Sequence, residues 1–174
     1  MRQPLPWSHR GSEVAEGGLS ETRIATATER SAIAQALDVV SCDEVKAEYV
    51  MRPIGEGRYR MTGKISARLT QKCVVTLELI SQTIKEDFDV EFRPAGSLPE
   101  MGDAEVEVLS FPEIEPIEHG SIEAGRFVFE MLSATLDPYP RKEGARFDWE
   151  DPASTSEPSA TGPFAGLKKL KDEH

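Results

Sequence analysis

The chain has 174 residues, of which 39% are hydrophobic and 29% charged, and a formal net charge of −11. That length fits one domain with a real core, and the acidic balance excludes a protein that coats nucleic acid through its overall field. No apolar run approaches the ~20 residues needed to cross a bilayer.

The N-terminus, MRQPLPWSHRGSEVAEGG, has neither an apolar h-region nor the acid-poor composition of a transit peptide. This places the protein in the cytoplasm, where Cys42 and Cys73 stay reduced. Residues 1–19 read as a flexible arm with one anchor, Trp7. Leu19 to Thr26 forms a short strand leading into a helix near 28–38, where Thr26 and Glu29 make a capping box and Ile33, Ala36, Leu37 and Val40 line one side. Glu44 to Arg52 alternates apolar and charged residues, and Pro53 to Gly57 turns the chain.

Gly57 to Cys73, GRYRMTGKISARLTQKC, alternates most cleanly of all. Its odd positions carry Tyr59, Met61, Ile65, Ala67 and Leu69, and its even positions carry Arg58, Arg60, Lys64, Arg68 and Lys72. Period two predicts a strand with one apolar and one basic face. It would span roughly 50 Å at ~3.3 Å per residue, so a bend or bulge is expected near Gly63. Val75, Leu77 and Leu79 predict a third strand of the meander, Ser81-Gln82 a break, and Ile84 to Phe92 a fourth with an acidic stripe.

From Pro94 to Gly125 there is no Lys or Arg, against eight acids. Ala104 to Leu109 has the composition of a further strand, and the two prolines of FPEIEPIEHG exclude a helix there. Ser121 to Leu136 places Ala124, Val128, Met131, Leu132 and Leu136 at helical spacing, with Ser121 as N-cap, and is the expected cover of the sheet. Pro138 ends that helix. After Trp149 the segment EDPASTSEPSATG is a linker too poor in apolar residues to fold alone. It leads to PFAGLKKLK, a short unit that either docks on its own domain or binds a partner.

Catalytic groups are scarce. The histidines lie in the arm (His9), the acidic loop (His119) and the terminus (His174), where no scaffold would hold them. There is no phosphate-binding Gly loop and no CxxC spacing for zinc. A Cys73–His119 pair and a cation site on Glu113, Glu115 and Glu118 are the weak alternatives. The basic stripe of Arg58, Arg60, Lys64, Arg68 and Lys72 has two readings. It is either a track for RNA phosphates or one side of cross-strand pairs with Glu44, Glu48 and the acids of 85–91. It lacks the interleaved aromatics of single-strand binders. DPYPRK, with Tyr139, Arg141 and Lys142 between prolines, either presents an aromatic and two cations or ties the second helix to the sheet.

QKCVVTLE, the helix running into LDPYPRKEGARF, and the closing PFAGLKKLK occur in an order that resembles the YceD-like family of large ribosomal RNA subunit accumulation proteins, in its alphaproteobacterial form. Where many members read CxxC this chain has Cys73-Val74-Val75-Thr76, and where some carry further cysteines it has DPYPRK, so the resemblance supplies no metal ligands. Gly162-Pro163-Phe164 stands where many have Asn-Pro-Phe.

The resemblance implies a non-enzymatic role in synthesis, processing or stability of 23S rRNA during large-subunit assembly. The partners expected are 23S rRNA or a pre-50S particle, with no cofactor, metal, membrane or small-molecule substrate. The candidate contacts are the five cations of the stripe, Tyr139, Arg141 and Lys142, and in the tail Phe164, Lys168, Lys169 and Lys171. The alternative is an adaptor that recruits a protein through the tail without touching RNA. The fold expected is α+β, a curled, mainly antiparallel sheet of about five strands covered by two helices, with an arm at 1–19, a domain at 20–149 and a linker with motif at 150–174.

Overall fold

A computed structural model describes residues 3–97 and 113–147. The chain divides into two units, Met1–Glu143 and Gly144–His174. Within the second, the described residues end at Phe147, so the linker and Phe164, Lys168, Lys169 and Lys171 lie outside them, as does the strand expected at Ala104–Leu109.

The first unit is α+β. In chain order it runs β1 (His9–Arg10), β2 (Leu19–Ile24), α1 (Ala27–Ala36), β3 (Ser41–Gly55), β4 (Arg58–Lys72), β5 (Leu79–Pro94), β6 (Glu113–Ile117), β7 (Ser121–Ile122) and α2 (Ala124–Thr135). The main sheet is open, in the order β2-β3-β4-β5-β6. It is antiparallel except for β6, which runs parallel to β5. β1 pairs with β7 in a separate two-stranded sheet. Among the described residues no helix is long and apolar enough to cross a membrane.

The alternation read in the sequence becomes one buried face. Val45, Ala47, Tyr49 and Met51 of β3, Met61, Ile65, Ala67 and Leu69 of β4, and Ile84, Phe88, Val90 and Phe92 of β5 all enter the core. α2 covers that face. Phe127 meets Phe88 and Phe92 edge to face, with ring centroids 5.4 and 6.5 Å apart, a geometry that the ring quadrupoles favour. α1 adds Ile33, and its Thr26 cap is the reciprocal box expected, with Thr26 N donating to Glu29 at 2.7 Å.

Several expectations need correction. β4 does not bulge at Gly63; its pairing with β3 and β5 is continuous there, and the register shifts lie instead at Cys42/Glu44 and Pro53/Gly55. Gly63 is required by close approach, because a Cβ would stand 2.2 Å from the Glu48 carbonyl oxygen and 2.7 Å from the Tyr49 Cβ. Of the strand expected over Val75–Leu79, residues 75–78 form a tight turn and Leu79 opens β5, which passes unbroken through Ser81-Gln82. The acidic EIEPI is an edge strand, which tolerates Pro116 because an edge has unpaired positions. Glu123, not Ser121, is the N-cap of α2; Ser121 belongs to β7 and its hydroxyl donates to the Glu123 carboxylate at 2.6 Å.

The arm expected over residues 1–19 is anchored from Leu5 onward. Leu5, Trp7 and Val14 are buried, the Trp7 indole N–H donates to Glu29 at 3.0 Å, and Gly125 N donates to the Trp7 carbonyl at 2.8 Å. A Cβ at Gly125 would meet the Leu5 carbonyl oxygen at 2.1 Å, so this glycine lets the segment lie directly on α2.

Candidate nucleic-acid interface

The face of the sheet opposite the core is built from the other half of each alternation. Register places Lys46, Ser66 and Lys85 on one rung and Glu48, Lys64 and Asp87 on the next. Across β3, β4 and β5 this face carries Lys46, Arg52, Arg58, Arg60, Lys64, Arg68, Lys72, Lys85 and Arg93 against Glu44, Glu48, Asp87, Asp89 and Glu91. The excess is four positive charges, on a chain whose net charge is −11. The positions between them include the hydroxyls of Thr62, Ser66, Thr70, Ser81 and Thr83 and the apolar Val50 and Leu79. No aromatic residue of these three strands points this way; Tyr49, Tyr59, Phe88 and Phe92 share the opposite register.

Much of the stripe is engaged in cross-strand pairs. Arg68 meets Glu44 at 2.6 Å and Lys64 meets Glu48 at 3.4 Å. Arg60 donates to both oxygens of Asp89, with its Nε at 2.8 Å; that hydrogen bonding holds the Asp89 carboxyl below its usual range. Arg58 reaches Glu91 at 3.4 Å, and Arg93 reaches the same carboxylate at 2.7 Å. Glu91 is buried, and the hydrogen bond from Arg93 leads the causes that lower its pKa. The exposed pairs, Arg60–Asp89, Lys64–Glu48 and Arg68–Glu44, each contribute little to stability. Arg52, Lys72 and Lys85 are exposed and form no ion pair among the described residues.

At one end of the sheet the β4–β5 turn and the DPYPRK segment form a single unit. Gln71 donates to the Asp137 carbonyl at 3.0 Å, Val74 N to the Pro140 carbonyl at 2.9 Å, and Lys142 Nζ to Glu78 at 2.9 Å. Lys142 N and Thr76 N both donate to Cys73 Sγ at 3.3 Å. With Lys142 first among them, these donors bring the thiol to a pKa of about 6. DPYPRK therefore ties α2 to the sheet, while Tyr139 and Arg141 remain exposed. Val40, Val74, Leu77 and Leu79 are exposed at the same end.

The stripe cations thus sit on β4 and Lys142 in the segment after α2, and Lys72 stands where the stripe reaches the turn, lining a depression with Gln71, Val74, Pro138 and Pro140. Cys73 and His119 do not pair: Cys73 is held by its turn, whereas His119 lines a cleft with Arg10, Glu13 and Tyr59. Glu115 is occupied by Arg126, and among the described residues no group of three or more His, Cys, Asp or Glu is placed to hold a metal.

One polar cluster was not visible in the sequence. His9 is buried, with Nε2 2.8 Å from the Tyr49 hydroxyl. Burial, with Arg23 nearby, lowers the imidazole pKa, and burial raises that of the Tyr49 hydroxyl, so both partners favour their neutral forms. The alternation of Leu5, Trp7 and His9 with Pro4, Pro6, Ser8 and Arg10 was the available signal. No protein-family model, curated protein or solved structure matches the chain.

Proposed function

We propose that this protein is a non-enzymatic ribosome biogenesis factor that supports 23S rRNA in large-subunit assembly by laying the outer face of its sheet on RNA. The observation that carries the reading is the excess of positive charge gathered on one β-face of an acidic molecule, a face that no helix covers among the described residues. Charge segregated in this way steers a polyanion to one surface while the remaining surface repels it. The resemblance to the YceD-like family supplies the ribosomal context.

The test is crosslinking to RNA in cells followed by sequencing. The substitutions belong at Arg52, Lys64, Lys72 and Lys85, which are exposed, and not at Arg58, whose loss would strip a partner from buried Glu91. Enrichment of defined 23S segments that disappears in the Gln variants is the expected result. Unchanged crosslinks in a folded quadruple variant would remove the outer face from the reading.

A second reading, an adaptor that recruits a processing factor or ribosomal protein, is favoured by the exposed apolar residues Val40, Val74, Leu77, Leu79 and Tyr139 around the Cys73 turn. A co-purifying protein without RNA, lost on Tyr139→Ser and Leu77→Ser, would establish it in place of the first.

A further inference from the structure

The chemistry of the outer face selects among kinds of RNA. Single-stranded RNA is held by stacking splayed bases on aromatic rings, worth ~1–3 kcal/mol per base. Among the described residues, β3, β4 and β5 offer no ring to stack on at this face, since every aromatic of these strands lies in the core register. It offers ammonium and guanidinium groups alternating with the hydroxyls of Thr62, Ser66, Thr70, Ser81 and Thr83. Those groups match what an RNA duplex exposes, which is phosphates and 2′-hydroxyls rather than bases. The support is long and regular: β3, β4 and β5 have 15, 15 and 16 residues, with β4 paired on both sides over its length.

A local seat for phosphate lies at the middle of this surface. Lys46, Lys64, Ser66 and Lys85 line one shallow cavity of about 370 Å³ together with Ile65 and the carboxylates of Glu48, Glu86 and Asp87. Ser66 stands between Lys46 and Lys85 on one rung. Neighbouring strands are ~4.8 Å apart, so the two lysines flank the hydroxyl within reach of a single bridging phosphate. Lys85 forms no ion pair among the described residues, and Lys64 shares Glu48 with Lys46. An incoming phosphate therefore competes with Glu48 for Lys46 and Lys64, while Lys85 is not held by an ion pair among the described residues.

Resting on the RNA-contact reading above, we infer that the outer face binds double-helical RNA, with a backbone phosphate seated over Ser66 between Lys46 and Lys85. The test uses the full chain and two probes of matched composition. One is an RNA hairpin whose stem exceeds the ~16 bp that duplex-binding modules span; the other is an unstructured single strand. Affinity is measured across a salt series. Without stacking, the single strand should bind at least about tenfold more weakly than the hairpin.

Lys46→Gln with Lys85→Gln should weaken hairpin binding and lower the salt slope by about one for each phosphate that the variant no longer neutralises. The melting temperature of this double variant should match the parent, because both side chains lie on the open face. Equal or tighter binding of the single strand would overturn the duplex assignment and leave RNA contact standing. Absence of binding to either probe would overturn both. An unchanged slope in the double variant would remove the seat.

Discussion

Cys73 and His9 are two residues whose ionisation depends on their surroundings. The Cys73 thiol, ordinarily near 9.0, falls to about 6 because Lys142 and Thr76 aim N–H groups at it. Its folded value lies below its unfolded one, so its stabilisation is complete above the unfolded value and is lost as pH falls towards 6. The urea midpoint of the parent should rise between pH 6 and 9 relative to Cys73→Ser, which accepts the same hydrogen bonds without titrating. Parallel profiles would mean that the thiolate does not form. Cys42 behaves oppositely, since burial pushes its thiol up to about 11.

His9 also has a lowered folded value, here from desolvation, so its contribution is full above 6.5 and declines as pH drops below it. His9→Gln should flatten the loss of stability below pH 6.5, measured by the same urea midpoints. Neither behaviour was legible from the sequence, which places His9 in a polar N-terminal stretch and Cys73 at the end of a strand. Their donors and neighbours come from positions 40 and 69 residues away.

At the scale of elements, β4 shows how one residue sets the approach of two strands. Gly63→Ala places a methyl against the backbone of Glu48 and Tyr49; β3 must move or the ladder must open. Overpacking of this kind costs about 1–3 kcal/mol, and a lower denaturant midpoint with an unchanged slope would report it. Gly17→Ala, with nothing within 4 Å of the new Cβ, is the neutral control. The sequence reading placed β4 within a residue of each end, and also the Thr26 capping box, because both follow from side chains a few positions apart. It misread the 73–78 turn because Val75, Leu77 and Leu79 alternate like a strand. The left-handed φ of 61° at Leu77 and the two hydrogen bonds between Cys73 and residues 77 and 78 decide otherwise.

For the whole molecule, the N-terminal segment closes the core over α2. Leu5 is fully buried, and its backbone leaves no room for a side chain at Gly125. Leu5→Ala should therefore cost ~2–5 kcal/mol, as core truncations do, and lower the melting temperature of the entire unit. A variant that melts like the parent would show the segment to be dispensable. The distribution of charge belongs to this scale as well. The excess of cations on the outer face coexists with a net charge of −11, so RNA affinity confined to that face should fall steeply with salt.

What the sequence by itself determined is periodic and local: the positions of β4 and the two helices, the apolar and basic faces of β4, the capping box, the end of α2 before Pro138, and the absence of aromatics on the basic side. Each depends on residues within a turn or a strand of one another. The tertiary structure alone decided which carboxylate stands opposite which cation, that Arg52, Lys72 and Lys85 are left without an acid among the described residues, that Lys46 and Lys85 flank Ser66, and that residues from Leu5 onward belong to the core. Those outcomes depend on register and on contacts between segments far apart in the chain, where a shift of one residue turns every side chain to the other face.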